Sequence, residues 1–299
     1  MSAAKRQFSS LQEALDTVCG QSVQILRMDP VAGGDINRAY LLNLSDGHKL
    51  FMKENAADKM FFFVREAEGL QAIRSSGAIS VPEVYAYGKD GRDSFLLMEY
   101  ITPGKTITGF YEDFGRQLAA MHTADCSAYT GSGKFGFTTD NYIGAGYQVN
   151  TPEEKWIDFF RNRRLLPQIQ RAEKCFNSVE IKAFDRLLDR LDDLLLEPEH
   201  PSLLHGDLWS GNYITGTDGR AWLIDPAVYV GHHEADIAMT ELFGGFPQAF
   251  YKGYYEVYGK ETGYEDRRDL YNLYHLLNHL NLFGAAYLGA VLAIVRRYS

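Results

Sequence analysis

In its C-terminal half the chain reads His205-Gly206-Asp207-Leu208-Trp209-Ser210-Gly211-Asn212, and an apolar run follows that ends at Leu223-Ile224-Asp225-Pro226. Asn212 stands five positions after Asp207, and Asp225 stands eighteen positions after it. This order of an aspartate, an asparagine and a second aspartate is typical of the catalytic segment of kinases. The stretch therefore predicts a site for phosphoryl transfer, built from one loop and the strand that returns beside it.

The chemistry of phosphoryl transfer explains why these residue types stand at this spacing. A carboxylate such as Asp207 can orient the attacking hydroxyl and accept its proton. The Asn212 amide oxygen and the Asp225 carboxylate are suitable ligands for Mg²⁺ on the phosphates of ATP. His205 is expected to brace the loop backbone rather than to react, and Trp209 can be either a core anchor or a flat wall beside the acceptor.

The overall composition excludes several classes of protein. The chain has 299 residues, a formal charge of −9 and a pI near 5.4, which argues against nucleic-acid binding because phosphate contacts need clustered lysines and arginines. Its three cysteines follow no metal-ligand or disulfide spacing, so they indicate a reducing compartment. The N-terminus lacks the apolar segment of a signal peptide, and the apolar stretch over residues 282–295 is too short to span a bilayer, so we expect a buried helix there. These features predict a cytoplasmic protein without a membrane anchor.

The hydrophobic pattern divides the chain into a strand-rich first third and a helical remainder. Asp46-Gly47 and Asp90-Gly91 each lie between two apolar runs, a combination that predicts two β-hairpins, and residues 59–76 predict a helix between them. Further helices are predicted over four ranges, residues 108–122, 152–173, 179–195 and 267–280, and a functional loop over residues 131–150.

The segment Thr102-Pro103-Gly104 interrupts this pattern and is the predicted boundary between two lobes. We predict an α+β, bilobal protein-kinase-like fold. Residues 1–101 would form a nucleotide-binding lobe with a small antiparallel sheet and one helix. Residues 102–299 would form a larger, mainly helical lobe that carries the catalytic and acceptor-binding groups.

A glycine-rich turn and a lysine predict the nucleotide side of the site. Gly33, Gly34 and Asn37 lie in the first turn between strands, where glycines let backbone N–H groups approach phosphates, although an ordinary hairpin turn has the same composition. Lys53 ends an apolar strand in register with this turn, where the lysine of a kinase contacts the α- and β-phosphates. Most lysines are solvated surface residues, and this register is what favours a functional role for Lys53.

Two further segments complete the nucleotide side. The partner of Lys53 should be a glutamate of the helix over residues 59–76, where Glu66 and Glu68 lie on different faces, and Glu66 is our choice. The hinge that offers backbone N–H and C=O groups to adenine is predicted at four consecutive residues, Met98, Glu99, Tyr100 and Ile101.

With these parts in order, the chain resembles the fructosamine (ketosamine) kinase family, within the aminoglycoside and choline kinase-like fold. The resemblance covers nearly the whole length, and its most specific part is residues 204–212, where broader relatives have other residues around Trp209 and Ser210. Further matching segments are Asp225-Pro226-Ala227, Phe135-Gly136-Phe137, residues 140–144, residues 156–165 and residues 234–239.

This resemblance implies ATP- and Mg²⁺-dependent phosphorylation of the O3 hydroxyl of a ketosamine, the Amadori product of an amine and a sugar. Ribulosamines, erythrulosamines and fructosamines are the implied acceptors, and the unstable 3-phosphate would release the amine, which makes the activity deglycating. On the acceptor side we predict four residues, Trp209, Glu234, Asn141 and Tyr142. The glycine turn lacks the cysteine that some members use for redox-linked pairing of subunits, so we expect no thiol switch there.

Three other functions stay open at this point. A kinase of the same fold could act on another small hydroxyl compound, such as an aminoglycoside, choline or methylthioribose. A non-catalytic kinase-like binding module would bind nucleotide without transfer. A metal-dependent hydrolase would draw its ligands from His205, Asp207, His232, His233, Glu234 and Asp236. The expected partners are ATP and a small-molecule or protein-bound ketosamine, without nucleic acid or membrane, and the expected assembly is a monomer or weak homodimer.

Overall fold

The N-terminal part of the chain forms a six-stranded sheet. The structure is a computed structural model, and it describes residues 7–32, 36–130 and 134–299. The strands are β1 (Gln7–Phe8), β2 (Ile25–Pro30), β3 (Arg38–Leu44), β4 (Lys49–Ala56), β5 (Val84–Asp90) and β6 (Asp93–Glu99). Their spatial order is β1-β5-β6-β4-β3-β2, and every neighbouring pair is antiparallel except β1 and β5. Two helices accompany the sheet, α1 (Leu11–Val18) and α2 (Met60–Ser75).

Both predicted hairpins are confirmed. β3 pairs with β4 and β5 pairs with β6, and each turn contains a glycine with positive φ, 88° at Gly47 and 61° at Gly91. Glycine suits these tight connections because a side chain is strained in that backbone conformation. The predicted helix between the hairpins is also present, as α2.

Alternation along β4 sends its side chains to two different places. Leu50 and Met52 are buried in a small cluster that also contains residues of α1, whereas Phe51 packs on the larger core that includes residues of α2. Because successive strand residues face opposite sides of a sheet, Lys53 lies on the same side as Phe51. This register turns the lysine toward α2 and the helical part of the molecule.

The C-terminal part is mainly helical. Its helices are α3 (Phe110–Thr123), α4 (Trp156–Phe159), α5 (Leu166–Arg171), α6 (Ser178–Asp189), α7 (Leu191–Leu194), α8 (Glu234–Leu242), α9 (Gln248–Val257), α10 (Tyr264–Phe283) and α11 (Leu288–Tyr298). Its strands are β7 (Asn141–Ile143), β8 (Gly146–Gln148), β9 (Ser202–Leu204), β10 (Tyr213–Thr215), β11 (Ala221–Leu223) and β12 (Tyr229–Gly231). They form three antiparallel pairs, β7 with β8, β9 with β12 and β10 with β11.

Two predicted segments between residues 131 and 173 differ from the structure. The predicted loop over residues 131–150 contains the β7–β8 hairpin. The predicted helix over residues 152–173 begins only at Trp156, and a π-helical segment, Phe160–Leu165, separates α4 from α5. Hydrophobic periodicity in this segment predicted one continuous helix and did not indicate the π turn, in which hydrogen bonds join residues i and i+5 and which is often found at functional positions.

The apolar C-terminal stretch is not one buried helix. α10 ends at Phe283, Gly284 follows with φ 86°, and α11 then buries only one face, through Val291, Val295 and Tyr298. Among the residues that the structure describes, no helix combines the length and hydrophobicity needed to cross a bilayer.

One hydrophobic cluster continues from the sheet into the helical part. Phe63 of α2 and Leu96 of β6 belong to the same buried cluster as Trp156 and Leu204. The helical part therefore packs directly against the α2 side of the sheet, which is the side that carries Lys53.

Candidate active site

The loop after β9 is anchored through its backbone. The carboxylate of Asp236, on α8, accepts hydrogen bonds from the backbone N–H groups of His205 (2.7 Å) and Gly206 (2.8 Å), and it lies 3.2 Å from Nε2 of His122. Burial would raise the pKa of Asp236, but these hydrogen bonds and the nearby histidines lower it below its ordinary value. Asp236 is therefore an ionised anchor of the loop.

His205 braces the loop, as expected from the sequence. Its Nδ1 accepts the backbone N–H of Asp207 at 3.3 Å, so Nε2 carries the proton of the neutral ring and donates to the carbonyl of Ile224 at 2.9 Å. Burial lowers the pKa of His205, which keeps the ring neutral. Both nitrogens are thus engaged, and the side chain joins the loop to the end of β11.

Two backbone positions near Asp207 require unusual geometry. Gly206 has φ 81°, and a Cβ atom there would lie under 3.0 Å from the carbonyl oxygen of Ala227. Asp225 has φ 55°, and it is the one non-glycine residue with positive φ in the described parts of the chain. The loop of Asp207 and the segment of Asp225 therefore lie back to back with no space for a side chain between them.

Asp207 and Asn212 are connected within the loop. The Asn212 Nδ2 group donates to the backbone oxygen of Asp207 at 2.7 Å and to its Oδ2 at 3.2 Å. Burial, together with the charges of Asp225 and Asp236, raises the pKa of Asp207 to about 7, although the Asn212 hydrogen bond acts in the opposite direction. A carboxylate with a pKa near neutrality is suited to accept a proton from a hydroxyl.

Lys53 lies between two carboxylates. Its Nζ is 2.6 Å from Oε1 of Glu66 on α2 and also contacts Oδ1 of Asp225. Burial alone would lower the pKa of Lys53, but the two carboxylates outweigh it and raise the pKa. Glu68, the rejected partner, instead bonds to Arg65 and to the Thr139 hydroxyl.

The oxygen atoms near Asp207 fit a magnesium ion. Asn212 uses its Nδ2 within the loop, which leaves its amide oxygen free to act as a ligand, and the Asp225 side chain is 41% exposed. The backbone N–H of Ile224 donates to the backbone oxygen of Asn212 at 3.0 Å. This bond holds Asp225, the residue after Ile224, near Asn212. Mg²⁺ prefers one or two such oxygen ligands together with phosphate oxygens and water.

The predicted glycine turn is described in part. Gly33 and Gly34 lie outside the described residues. The Oδ1 atom of Asn37 accepts a hydrogen bond from Asn55 at 2.7 Å, which fastens the end of this turn to β4. Asn55 also donates to the backbone oxygen of Ile36, at 3.2 Å.

The predicted hinge lies where the chain leaves the sheet. β6 ends at Glu99, whose backbone N–H donates to the Glu83 carbonyl at 2.8 Å, and Met98 is buried in the core. Pro103 already pairs with Gly216 of the C-terminal part. Two hinge residues, Tyr100 and Ile101, therefore form the link between the sheet and the helical part.

Two predicted acceptor residues are corrected by the structure. Glu234 is 2% exposed, and its carboxylate is bound by Nε (2.7 Å) and Nη2 (2.6 Å) of Arg267. Asn141 is 5% exposed, and its Nδ2 donates to the carbonyl of Val228 at 2.7 Å. Both side chains are fully occupied inside the protein, so they do not face an acceptor.

The other two predicted acceptor residues lie at the surface or near it. Trp209 is 39% exposed and stands edge-on to Phe243, with 6.5 Å between ring centroids, so it is not a core anchor. Tyr142 is half-buried against Phe62 of α2, with 4.4 Å between centroids.

The histidines expected for a hydrolase do not collect around Asp207. In the described chain, the potential metal ligands that approach within 4.8 Å of one another are His232, His233 and Glu261. The backbone N–H of Glu234 donates to Nδ1 of His232 at 3.2 Å, so Nε2 of this ring carries its proton. The geometry therefore disfavours the hydrolase interpretation, since Asp207 is not among these potential metal ligands.

Asp207 and Asn212 share one loop, with Asp225 and the Lys53–Glu66 pair beside it, and this arrangement between a sheet and a helical part is the one expected of a kinase-like phosphotransferase. The family model described as "Fructosamine kinase" matches residues 7–298. The chain belongs to this family.

Known relatives agree with this assignment. A protein of Synechocystis sp. named "Probable ketoamine kinase" is 39% identical over 281 residues, covering 94% of this chain and 92% of its own. The Arabidopsis thaliana "Protein-ribulosamine 3-kinase, chloroplastic" is 37% identical over 285 residues, covering 93% and 84%.

Solved structures share the fold. The crystal structure of a Haemophilus somnus protein described as "Putative fructosamine-3-kinase" superimposes with a TM-score of 0.86 at 29% identity, and the match covers 97% of this chain and 96% of that one. The aminoglycoside phosphotransferase APH(4)-Ia, solved with AMP-PNP and hygromycin B, has a TM-score of 0.67 at 18% identity, with 96% and 98% covered, and shows the fold alone. The chain is thus a kinase that uses ATP and a hydroxyl acceptor, with the mixed α+β, kinase-like architecture predicted from its sequence.

Proposed function

We propose that this kinase transfers the γ-phosphoryl group of Mg²⁺-bound ATP to the O3 hydroxyl of a ketosamine. Ribulosamine, erythrulosamine and fructosamine adducts are the acceptor class, and the 3-phosphate formed falls apart to release the amine. The observation that carries the proposal is a chain of contacts. Asn212 is hydrogen-bonded to Asp207, and Asp225 contacts Lys53, which is paired with Glu66. Membership of the fructosamine kinase family supports the choice of acceptor.

The proposed reaction is a direct in-line transfer without a covalent enzyme intermediate. The O3 oxygen attacks the γ-phosphorus, the bond from that phosphorus to the bridging oxygen of ADP breaks, and Asp207 accepts the hydroxyl proton. Lys53 contacts the nucleotide phosphates, and Glu66 holds its ammonium in place. A magnesium ion bound by Asn212 and Asp225 would neutralise phosphate charge. Positioning and charge neutralisation account for most of the acceleration, because the reaction needs little covalent chemistry from the protein.

We further propose that the acceptor lies beside Trp209 and Tyr142. The exposed indole offers a flat face two residues from Asp207. The adenine of ATP would be bound by the backbone of the hinge, and the phosphates of ATP would lie under the turn that contains Gly33, Gly34 and Asn37. We also propose that the boundary between the two lobes lies near residue 102. The proposed location is cytoplasmic, and the proposed assembly is a monomer or weak homodimer.

An acceptor panel tests this function. The protein is incubated with ATP and Mg²⁺ and with ribulosamine, erythrulosamine or fructosamine adducts of one amine, and, in parallel, with an aminoglycoside, choline or methylthioribose. We expect ATP consumption with the ketosamines and phosphate on O3 by NMR. Transfer only to the other acceptors, transfer to another hydroxyl, or nucleotide binding without transfer would each contradict the proposal.

A further inference from the structure

Asp225 adopts a backbone conformation that is rare for residues with a side chain. Positive φ is disfavoured for every residue with a side chain, and Asp225 has φ 55°. A residue in this conformation keeps it only where the surroundings hold the neighbouring backbone. The position of the Asp225 carboxylate therefore depends on what restrains the next residues.

Two buried amide side chains hold that segment. Nε2 of Gln148 donates to the carbonyl of Ala227 at 3.1 Å, and Nδ2 of Asn141 donates to the carbonyl of Val228 at 2.7 Å. Gln148 is 2% exposed and Asn141 is 5% exposed. These bonds fall two and three residues after Asp225. The loop of residues 205–212 holds the same segment, because the backbone N–H of Ala227 donates to the His205 carbonyl and Gly206 lies against the Ala227 carbonyl.

The two amides are themselves fixed in orientation. Oδ1 of Asn141 accepts from Nε2 of Gln148 (2.7 Å) and from Nδ2 of Asn150 (2.8 Å). The Tyr274 hydroxyl donates to Oε1 of Gln148 at 2.6 Å. With every amide oxygen accepting and every amide nitrogen donating, neither side chain can be flipped without losing hydrogen bonds.

A buried arginine closes this network. Nη2 of Arg164 donates to Oδ1 of Asn150 at 2.6 Å, and the guanidinium lies 4.5 Å from the ring centroid of Phe159 and 4.0 Å from that of Tyr229. Arg164 belongs to the π-helical segment Phe160–Leu165, and among the described residues no carboxylate forms an ion pair with it. Its hydrogen bonds serve the β7–β8 hairpin.

We infer that Asn141 and Gln148 are positioning residues that set the Asp225 carboxylate for metal binding by holding the carbonyls of Val228 and Ala227. This assignment replaces the predicted contact of Asn141 with the acceptor. The inference rests on the proposed function, in which Asp225 is a ligand of the magnesium ion.

Metal binding without turnover tests the inference. Mn²⁺ is titrated into the full chain with the non-hydrolysable nucleotide AMP-PNP, and free Mn²⁺ is followed by EPR. Asn141→Asp has the same size but places a carboxylate oxygen against the Val228 carbonyl, and Gln148→Leu removes the donor to Ala227. We expect either variant to weaken Mn²⁺ binding by about tenfold, as is typical when a residue that orients a metal ligand is removed.

Further measurements separate positioning from other roles. Affinity for AMP-PNP in EDTA and the KM of the acceptor should stay near wild type, while the Mg²⁺ concentration for half-maximal activity should rise. Tyr147→Phe is the matched control, because it alters the same hairpin and keeps an aromatic ring but loses only the bond to Asp140. Should Asn141→Asp fail to fold, Gln148→Leu still decides the question.

The outcomes are distinguishable from failure of the proposed function. Unchanged Mn²⁺ affinity in both folded variants overturns the positioning role, and a raised acceptor KM with unchanged Mn²⁺ affinity returns Asn141 to the acceptor site. Asp225→Asn is the reference. If it weakens Mn²⁺ binding and the amide variants do not, only this inference fails, whereas unchanged binding in Asp225→Asn means that the proposed metal site itself is wrong.

Discussion

The two sides of the candidate site are held in different ways. The loop of residues 205–212, which forms the catalytic side, is fixed through its backbone. The Asp236 carboxylate accepts two of its N–H groups, and Gly206 lies against the Ala227 carbonyl. The nucleotide side is fixed by ion pairs between side chains, with Lys53 between Glu66 and Asp225. A backbone-fixed loop tolerates little change in geometry, whereas side-chain ion pairs can exchange one partner for a phosphate. We therefore expect changes on the catalytic side to reduce turnover and changes on the nucleotide side to reduce affinity.

The largest effect is expected at Asp207. Asp207→Asn keeps the size of the side chain but removes the proton acceptor, so turnover should fall by about 100-fold or more, and affinity for ATP should stay near wild type. Steady-state kinetics and nucleotide titration measure the two quantities. Asp185→Asn, an exposed change of the same type on α6, serves as control. Near-normal turnover of Asp207→Asn would break the assignment of this loop.

Gly206→Ala tests whether the backbone contact behind the loop matters. The new Cβ atom would clash with the Ala227 carbonyl, so we expect turnover to fall at least about tenfold, which corresponds to about 1.4 kcal/mol, together with a lower Tm. Gly259→Ala is the matched control, because Gly259 has φ 84° against 81° at Gly206 but has open space around it. It should show only the cost of the backbone conformation, about 1 kcal/mol of stability. Equal effects in both variants would mean that the clash has no consequence for the site.

A smaller and different effect is expected on the nucleotide side. Glu66→Gln removes one charge partner of Lys53, and the lost charged hydrogen bond should raise the KM for ATP by about tenfold with a weaker effect on turnover. Glu68→Gln changes the same residue type on the same helix without touching Lys53 and should leave the KM for ATP near wild type. Should the two variants behave alike, Glu66 would not be the partner that matters to ATP.

The smallest effect is a dependence of stability on acid that arises from two buried histidines of the helical part. Burial, followed by the neighbouring His279, lowers the pKa of His275 to about 3, and burial lowers that of His232 to about 3. Between these values and the ordinary value of 6.5 the unfolded chain binds more protons, so stability is complete above pH 6.5 and falls as the pH decreases. His275→Gln should reduce the slope of the free energy of unfolding between pH 5 and 6 by about 1 kcal/mol per pH unit. Urea unfolding measures this slope, and identical slopes for the variant and wild type would contradict it.

Sequence patterns predicted the chemistry of the site better than its surroundings. Lys53 and Asp225 were identified because phosphoryl transfer demands particular residue types at a particular order, and the structure places them in contact. Asn141 and Glu234 were misassigned to the acceptor because a buried polar residue and a ligand-binding residue look alike in a sequence. Only the contacts of Asn141 with Val228 and of Glu234 with Arg267 show that their hydrogen-bonding groups are already occupied.

The local elements follow the same division. The Asp-Gly turns and the periodicity of residues 59–76 predicted two hairpins and a helix, because such turns and helices depend on neighbours in the sequence. The β7–β8 hairpin contacts partners that are distant in the chain, since the Tyr274 hydroxyl donates to Gln148 and Asn141 donates to the Val228 carbonyl.

The amino-acid sequence by itself determined the class of reaction and the α+β kinase-like fold. It also predicted the charged residues that lie in contact in the candidate site, Lys53, Glu66 and Asp225. The tertiary structure alone decided which polar side chains face a ligand and which ones brace the backbone. The physical reason is that a buried donor or acceptor must find a partner, and that partner can come from any part of the folded chain. Residue type and spacing indicate which chemistry a side chain can perform, whereas contacts such as those around Asp225 determine where that side chain is positioned.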